Sequence, residues 1–188
     1  MSATLKHPET PGQESDDAAF QIPEFDPAIV AECLKDGRPL KELVNVDDRV
    51  WETMYDFGYR NFLNGQFAAA EYWWTQACLF ESNRDRNWIA LGVACKKQNK
   101  FTEALNAFSL AAHHGSTNPW SPMHAAECLI QLGQYAKAKM ALDNAEEWLD
   151  NVEVASQLRQ RIAMLRRGLE RREQRRLNEE QAAEAHAD

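Results

Sequence analysis

Apolar and polar positions follow a helical period along most of this chain, and the pattern predicts helices separated by short turns. In FDPAIVAECLKDG, Ile29, Val30, Cys33 and Leu34 form one apolar stripe. Asp26 suits the N-cap, Pro27 the first turn and Gly37 the C-terminal stop, so a short helix is expected here. PLKELVNV then leads to a helix that Asp47 or Asp48 can cap. Over residues 51–151 the stripes come in pairs, with turn signals at Gly65, Asn99 and Gly133. Further on, Val154, Leu158, Ile162, Leu165 and Leu169 recur at three to four residues. Beyond Leu169 the stripe fades, and fraying or disorder is expected.

The paired stripes are a repeat. Gly58, Gly92 and Ala126 stand 34 residues apart, as do Ala70, Ala104 and Ala138, and Ala77, Ala111 and Ala145. Trp74, Phe108 and Leu142 keep the same step, and so do Phe67, Phe101 and Tyr135. This period, with small residues at its eighth, twentieth and twenty-seventh positions, is the signature of tetratricopeptide repeats, each a pair of antiparallel helices. Small residues let the paired helices approach, and the large residue at position 24 fills the gap against the neighbouring repeat. No unit buries its apolar face alone. The expected fold is therefore all-α: a right-handed solenoid of three repeats with flanking N- and C-terminal helices. The repeats are read at 51–84, 85–118 and 119–151. A disordered tail at 1–25 and a helical segment at 26–50 precede them, and a capping helix with a charged tail at 152–188 follows. Asn61, Ser82 and Ser116 depart from the repeat consensus without breaking its register.

Charge and composition narrow the function. The net charge of −8 argues against a general nucleic-acid binder, which needs a basic surface. Eight arginines lie between residues 159 and 176. An RNA or acidic-partner patch is the sharper reading of them. A solvated helix face is favoured instead, because Glu170 and Glu173 interrupt the run and no aromatic interleaves for stacking. Cys33, Cys78, Cys95 and Cys128 are scattered through helical patterns, which fits reduced, buried thiols better than a disulfide framework. No secretory signal or membrane-spanning run is apparent, so the protein is read as soluble and cytoplasmic.

One stretch raises a chemical question. PMHAAECLIQLGQYAKA places His124, Glu127 and Cys128 within one expected helix. Neither the H-x-E with P-C-x-x-C spacing of zinc deaminases nor H-E-x-x-H is present, and two ligands on a helix face fall short of the three or four that zinc needs. With Asn118 as N-cap and Pro119 as first helical residue, these side chains fall on or near packing faces of repeat three. No Gly-rich phosphate loop or nucleophile elbow occurs elsewhere. The expectation is a binding protein, not an enzyme, with no metal and no cofactor.

First helices of stacked repeats line the concave face through positions 2, 5, 9, 12 and 13. Here these supply Tyr55, Tyr59, Phe62 and Leu63, then Arg86, Ile89, Val93, Lys96 and Lys97, then Trp120, Met123, Glu127, Ile130 and Gln131. Such a groove, aromatic and aliphatic with a few charges, suits an extended peptide with apolar anchors. Each of these residues could instead pack internally, because groove and core share a composition.

The segments MYDFGYRNFLNGQFAAA, IALGVACKKQNKFTEAL and NPWSPMHAAECLIQLGQYAKA resemble the class II chaperones of bacterial type III secretion, which hold translocator proteins. The likeness spans about residues 28–150, and AECLKDGRPLKEL resembles the family's N-terminal helix and turn. It implies a cytoplasmic, non-enzymatic chaperone whose clients are two pore-forming translocators, one more hydrophobic than the other. A proline-and-leucine-bearing client segment would lie extended in the concave groove. Tyr55, Phe62 and Phe67 match aromatic positions of the family's first repeat, the first two facing the groove and Phe67 serving packing. It also implies a homodimer through residues 27–36, hence through Ile29, Val30, Cys33 and Leu34, and in some members a transcription activator as a further partner. The competing reading is a non-catalytic repeat adaptor that scaffolds folded partners in a regulatory assembly.

Overall fold

The computed structural model describes residues 27–36, 38–43, 48–151 and 155–185. Helix α1 (Pro27–Lys35) leads to a short 3-10 turn, Leu40–Leu43. Three helical hairpins follow: α2 (Asp48–Leu63) with α3 (Phe67–Phe80), α4 (Asp85–Lys97) with α5 (Phe101–His113), and α6 (Trp120–Gln131) with α7 (Tyr135–Glu147). A second 3-10 turn, Trp148–Asn151, precedes α8 (Ala155–Ala185). Each helix from α2 to α7 packs on the next, and α8 packs on α6 and α7. This is the all-α solenoid that the period predicts. Among the described residues no helix is long and apolar enough to cross a membrane. The tail at 1–25, the proposed caps Asp26, Gly37 and Asp47, and Val154 lie outside the described residues.

Each hairpin turns through one left-handed residue, Gly65, Asn99 or Gly133, with φ of 74°, 62° and 70°. The turn hydrogen bonds repeat as well: the N–H groups of Gln66, Lys100 and Gln134 donate to the carbonyls of Asn61, Cys95 and Leu129. That is the glycine-type helix stop, in which an asparagine also tolerates positive φ. At the third repeat, Pro119 is already helical in its dihedrals and the Trp120 N–H donates to Asn118 Oδ1 at 3.1 Å. Asn118 thus supplies the cap oxygen, whichever residue is counted first.

The small columns are the seams. Ala70, Ala104, Ala138, Ala77, Ala111 and Ala145 are all within 1 % of full burial. Positions 8 and 24 meet across each hairpin. A Cβ added to Gly58 would stand 2.5 Å from the Trp74 indole, and one added to Gly92 would stand 2.5 Å from the Phe108 ring. In the third hairpin the pair is Ala126 with Leu142, where a smaller partner leaves room for a methyl group. Position 24 also reaches the following helix, Trp74 packing with Ala90 and Ala94, and Leu142 with Leu158 and Ile162. It therefore fills two gaps, inside its own repeat and against the next.

The N-terminal segment is fastened by charge. Glu81, 1 % exposed at the end of α3, receives Lys41 Nζ at 2.8 Å and Arg84 Nε at 3.1 Å. Cys33 is fully buried, with its thiol against the Arg38 and Pro39 carbonyls. This corrects its assignment to a dimer face: the chain's own turn covers it. Ile29 is about half exposed and Val30 is half-buried, and Leu34 stands on the same helix. The expected fraying beyond Leu169 is also corrected, because α8 runs on to Ala185. Arg, Glu, Gln and Ala are strong helix formers, and Lys139–Glu173, Gln174–Asn178 and the Arg176 guanidinium over Tyr135 add side-chain support.

The seam predicts a coupling. Gly92→Ala raises intrinsic helix propensity but forces the Phe108 ring aside, with an expected net loss of about 1–3 kcal/mol from overpacking. Combined with Phe108→Leu, which copies the Ala126–Leu142 pair, the loss should be smaller than the sum of the two single changes. Urea denaturation of the four proteins in the cycle measures this, and strict additivity would contradict the seam.

Candidate binding groove

Helix α8 takes the place of a first helix in a fourth repeat. Leu158 and Ile162 stand 34 residues after His124 and Cys128, and they bury themselves against Met123, Leu142 and Leu149. The same step carries Glu127 to Arg161, Ile130 to Met164 and Gln131 to Leu165. The inner surface is therefore built from α2, α4, α6 and α8. Between the last three lies a cavity of about 670 Å³, with Phe101, Ile130, Met164 and Leu165 supplying apolar lining and Lys96, Lys97, Glu127, Arg161, Arg171 and Arg172 supplying charge.

Glu127 is its electrostatic centre. One carboxylate oxygen accepts from Lys96 Nζ, and the other accepts from Arg161, Nη2 at 2.7 Å and Nε at 3.2 Å. Burial alone would raise the Glu127 pKa, but the contacts with His124, Lys96 and Arg161 and the Lys96 charge outweigh it, so the carboxyl sits well below its usual range. Lys96 also donates to His124 Nδ1 at 2.8 Å. With a lone pair on Nδ1 the neutral ring accepts from the Lys96 ammonium; in the other tautomer Nδ1–H donates to Glu127 Oε2 at 3.2 Å. Burial accordingly depresses the His124 pKa, and the Lys96 charge adds to this. The ring rests between Trp120 and Phe108, with centroids 5.8 and 6.0 Å away. Cys128 points into the apolar cluster of Cys95, Ala104 and Phe108, where burial pushes its thiol up to about 11. The His124, Glu127 and Cys128 trio is thus divided between an ion network and the core.

The expected groove residues separate into three groups. Lys96, Lys97, Glu127, Ile130 and Gln131 converge on the cavity, with Ile130 nearly buried beside Leu129, Ala138 and Leu169. On α2, Tyr59 and Leu63 are exposed at 49 % and 66 % and offer free apolar surface. Tyr55 and Phe62 are half-buried against Trp74, and burial raises the Tyr55 phenol pKa although Arg86 lies 4.7 Å above its ring. Phe67 packs on Phe62 at 5.3 Å. Ile89 and Val93 are half-buried beside the Phe108 cluster. Met123 is a correction: at 1 % exposure it belongs to the core with Leu142 and Ile162, because α8 covers the face it was expected to present. Trp120 is also displaced from the shared groove, since it lines a separate cavity of about 780 Å³ with Asp85, Ser116 and Trp148. Arg161, Met164, Arg171 and Arg172 were missed. Continuing the 34-residue step from Glu127 would have found Arg161 and Met164.

Residues 96–162 match the family model described as tetratricopeptide repeat. The chain is 24 % identical over 132 residues to low calcium response locus protein H of Yersinia pestis, covering 70 % of this chain and 79 % of that protein. A chain of a type III secretion complex from Aeromonas hydrophila superposes with a TM-score of 0.71 at 25 % identity, covering 79 % of this chain and 99 % of the other. The Yersinia enterocolitica chaperone SycD, solved with a peptide of the translocator YopD, gives 0.65 at 22 % identity, over 69 % and 99 % of the two chains. This chain has the fold of the tetratricopeptide-repeat translocator chaperones. The resemblance drawn from repeat three therefore reflects a shared architecture.

The ion network sets a pH dependence. His124 has a lowered folded-state pKa, so below its ordinary 6.5 the unfolded chain binds a proton that the folded chain refuses. Stability falls as pH drops through that window. Glu127, also lowered, contributes fully above its ordinary 4.5 and loses its contribution as pH falls below that value. The two effects have the same sign. Urea midpoints from about pH 7 to about pH 5 should decline in the parent and decline less in His124→Gln, whose amide oxygen can still accept from Lys96. Glu127→Gln should cost about 2 kcal/mol near neutrality by weakening charge-assisted hydrogen bonds. An identical slope in the parent and His124→Gln would contradict a neutral, buried His124.

Proposed function

We propose that this chain is a chaperone for translocator proteins of a type III secretion system, acting in the bacterial cytoplasm and without catalysis. It holds an extended client segment along the inner surface of the solenoid. The observation that carries this reading is the match to SycD, solved with a translocator peptide; the exposed Tyr59 and Leu63 of α2 support it as apolar surface available to a client. A protein destined to enter a membrane carries apolar segments that aggregate when exposed. Binding such a segment in extended form shields it and leaves the client unfolded for export. Both the more and the less hydrophobic translocator are clients in this reading. A transcription activator would dock elsewhere on the same chain, and α1, through Ile29 and Val30, would support a homodimer.

The test is co-expression and affinity capture with the cognate translocators, scored by how much client stays in the soluble fraction. Retention of proteins with long apolar segments that are insoluble alone supports the chaperone. Capture only of folded, independently soluble proteins supports an adaptor and overturns the proposal. Tyr59→Ser with Leu63→Ser should cut client retention severely while leaving helicity unchanged, because both side chains are exposed. Tyr55 and Phe62 make poorer probes, because both also support Trp74.

A further inference from the structure

The cavity between α4, α6 and α8 holds more positive charge than the fold uses. Glu127 accounts for Lys96 and Arg161. Lys97 and Arg172, which line the same cavity, have no side-chain partner among the described residues, and Arg171 donates only to the carbonyl of Arg167 in its own helix. These cations stand around an apolar lining that includes Phe101, Ile130 and the half-exposed Met164. In a chain of net charge −8, a cationic rim over an apolar floor is a local departure. Arg166, half-buried on the same helix, pairs with Asp143 at 2.6 Å and Glu146 at 2.7 Å, whereas Arg167 donates only to the Ala163 carbonyl. Lys97, Arg171 and Arg172 are thus three cations without an acidic partner among the described residues, brought together at one cavity.

We propose that this cavity is a specificity site for an acidic residue flanked by an apolar one on the partner's extended segment. The carboxylate sits among Lys97, Arg171 and Arg172, and the neighbouring apolar side chain rests on Ile130 and Met164. The arrangement matches this ligand in both respects, because guanidinium forks bind carboxylates in two-point geometry and the apolar floor rewards a buried aliphatic group. It gives the groove a polarity. Apolar anchors bind toward α2, and the charged step binds toward α8, which fixes direction and register as charge does at other interfaces. The inference rests on the groove reading above and adds a second determinant to it. It also assigns a role to the arginine run that a solvated helix face would not have.

The experiment uses the full chain and fluorescein-labelled short peptides that share leucine and proline anchors, with an aspartate, asparagine or lysine placed at each remaining position in turn. At one position or a cluster of positions, aspartate should bind more tightly than asparagine by up to about fivefold, the scale of a partly exposed charge contact, with lysine weaker still. The preference should shrink with added salt. In Arg171→Gln with Arg172→Gln, both exposed on α8, the aspartate and asparagine peptides should bind alike, with circular dichroism confirming the fold. Equal binding of the aspartate and asparagine series both to the parent chain and to an Asp16→Asn, Asp17→Asn, Glu24→Gln variant overturns the specificity site and leaves the apolar groove standing. Failure of every peptide, anchors included, overturns the groove reading itself. The segment before α1 carries Asp16, Asp17 and Glu24 beside Phe20, Ile22 and Phe25. An aspartate preference that emerges only in an Asp16→Asn, Asp17→Asn, Glu24→Gln variant would overturn the partner as occupant and assign the cavity to this chain.

Discussion

The contact on which the rest of the solenoid depends is that between positions 8 and 24 of each repeat. Gly58 admits Trp74, Gly92 admits Phe108, and Ala126 admits Leu142. The sizes are complementary: where the large residue shrinks from a ring to a leucine, the small one grows from glycine to alanine. This sets how closely the two helices of a hairpin approach, and so where the next hairpin stacks. Because the position-24 side chain also packs on the following helix, one residue per repeat couples the local hairpin to the array. A solenoid lacks the many long-range contacts of a globular core, so its cooperativity has to pass through such nearest-neighbour seams.

The second constraint is electrostatic, and it joins elements that the apolar seams leave adjacent but unregistered. Glu127 on α6 takes Lys96 from α4 and Arg161 from α8. A carboxylate as buried as this one would be costly alone, and with two cations it is held ionised. Its partners are set by repeat geometry: Arg161 stands one full period from Glu127. The network therefore reports whether α8 is docked in register. His124, neutral and pressed between Trp120 and Phe108, insulates one side of it and responds to protonation. Charge at the groove is thus conditional on correct stacking.

Much of the fold was legible because the repeat is carried by residues whose reason is steric. Glycine at position 8, alanine at positions 20 and 27 and a left-handed turn residue are each required by backbone approach or by φ, and each recurs unchanged or nearly so. The site was legible only in part, because side-chain direction depends on what covers a helix. Met123 occupies a nominal groove position, yet α8 lies over it and makes it core. Cys33 belongs to an apolar stripe, but the Arg38–Pro39 turn closes on it. The extent of α8 was hidden for another reason. A fading apolar stripe signals the end of apolar packing, not the end of a helix, and the Lys139–Glu173 ion pair, the Arg176–Tyr135 contact and high helix propensity carry α8 about 24 Å beyond Leu169.

Docking of α8 changes what kind of surface the solenoid presents. Three repeats alone would expose Met123, Leu142 and Leu149 at an open end. Leu158 and Ile162 close that end, and the same helix brings Arg161, Arg171 and Arg172 to the cavity. Capping and recognition are therefore not separable here: a helix placed to bury a terminal apolar face must show its opposite face to the concave side. A polar side chain at that face satisfies solubility. A concentration of one sign of charge, unneutralised around an apolar floor, goes beyond solubility, because glutamate would serve a cap as well as arginine. The placement of Arg171 and Arg172 beside Lys97 at the cavity is therefore what the acidic-ligand proposal rests on, independent of the apolar surface that the first repeat offers.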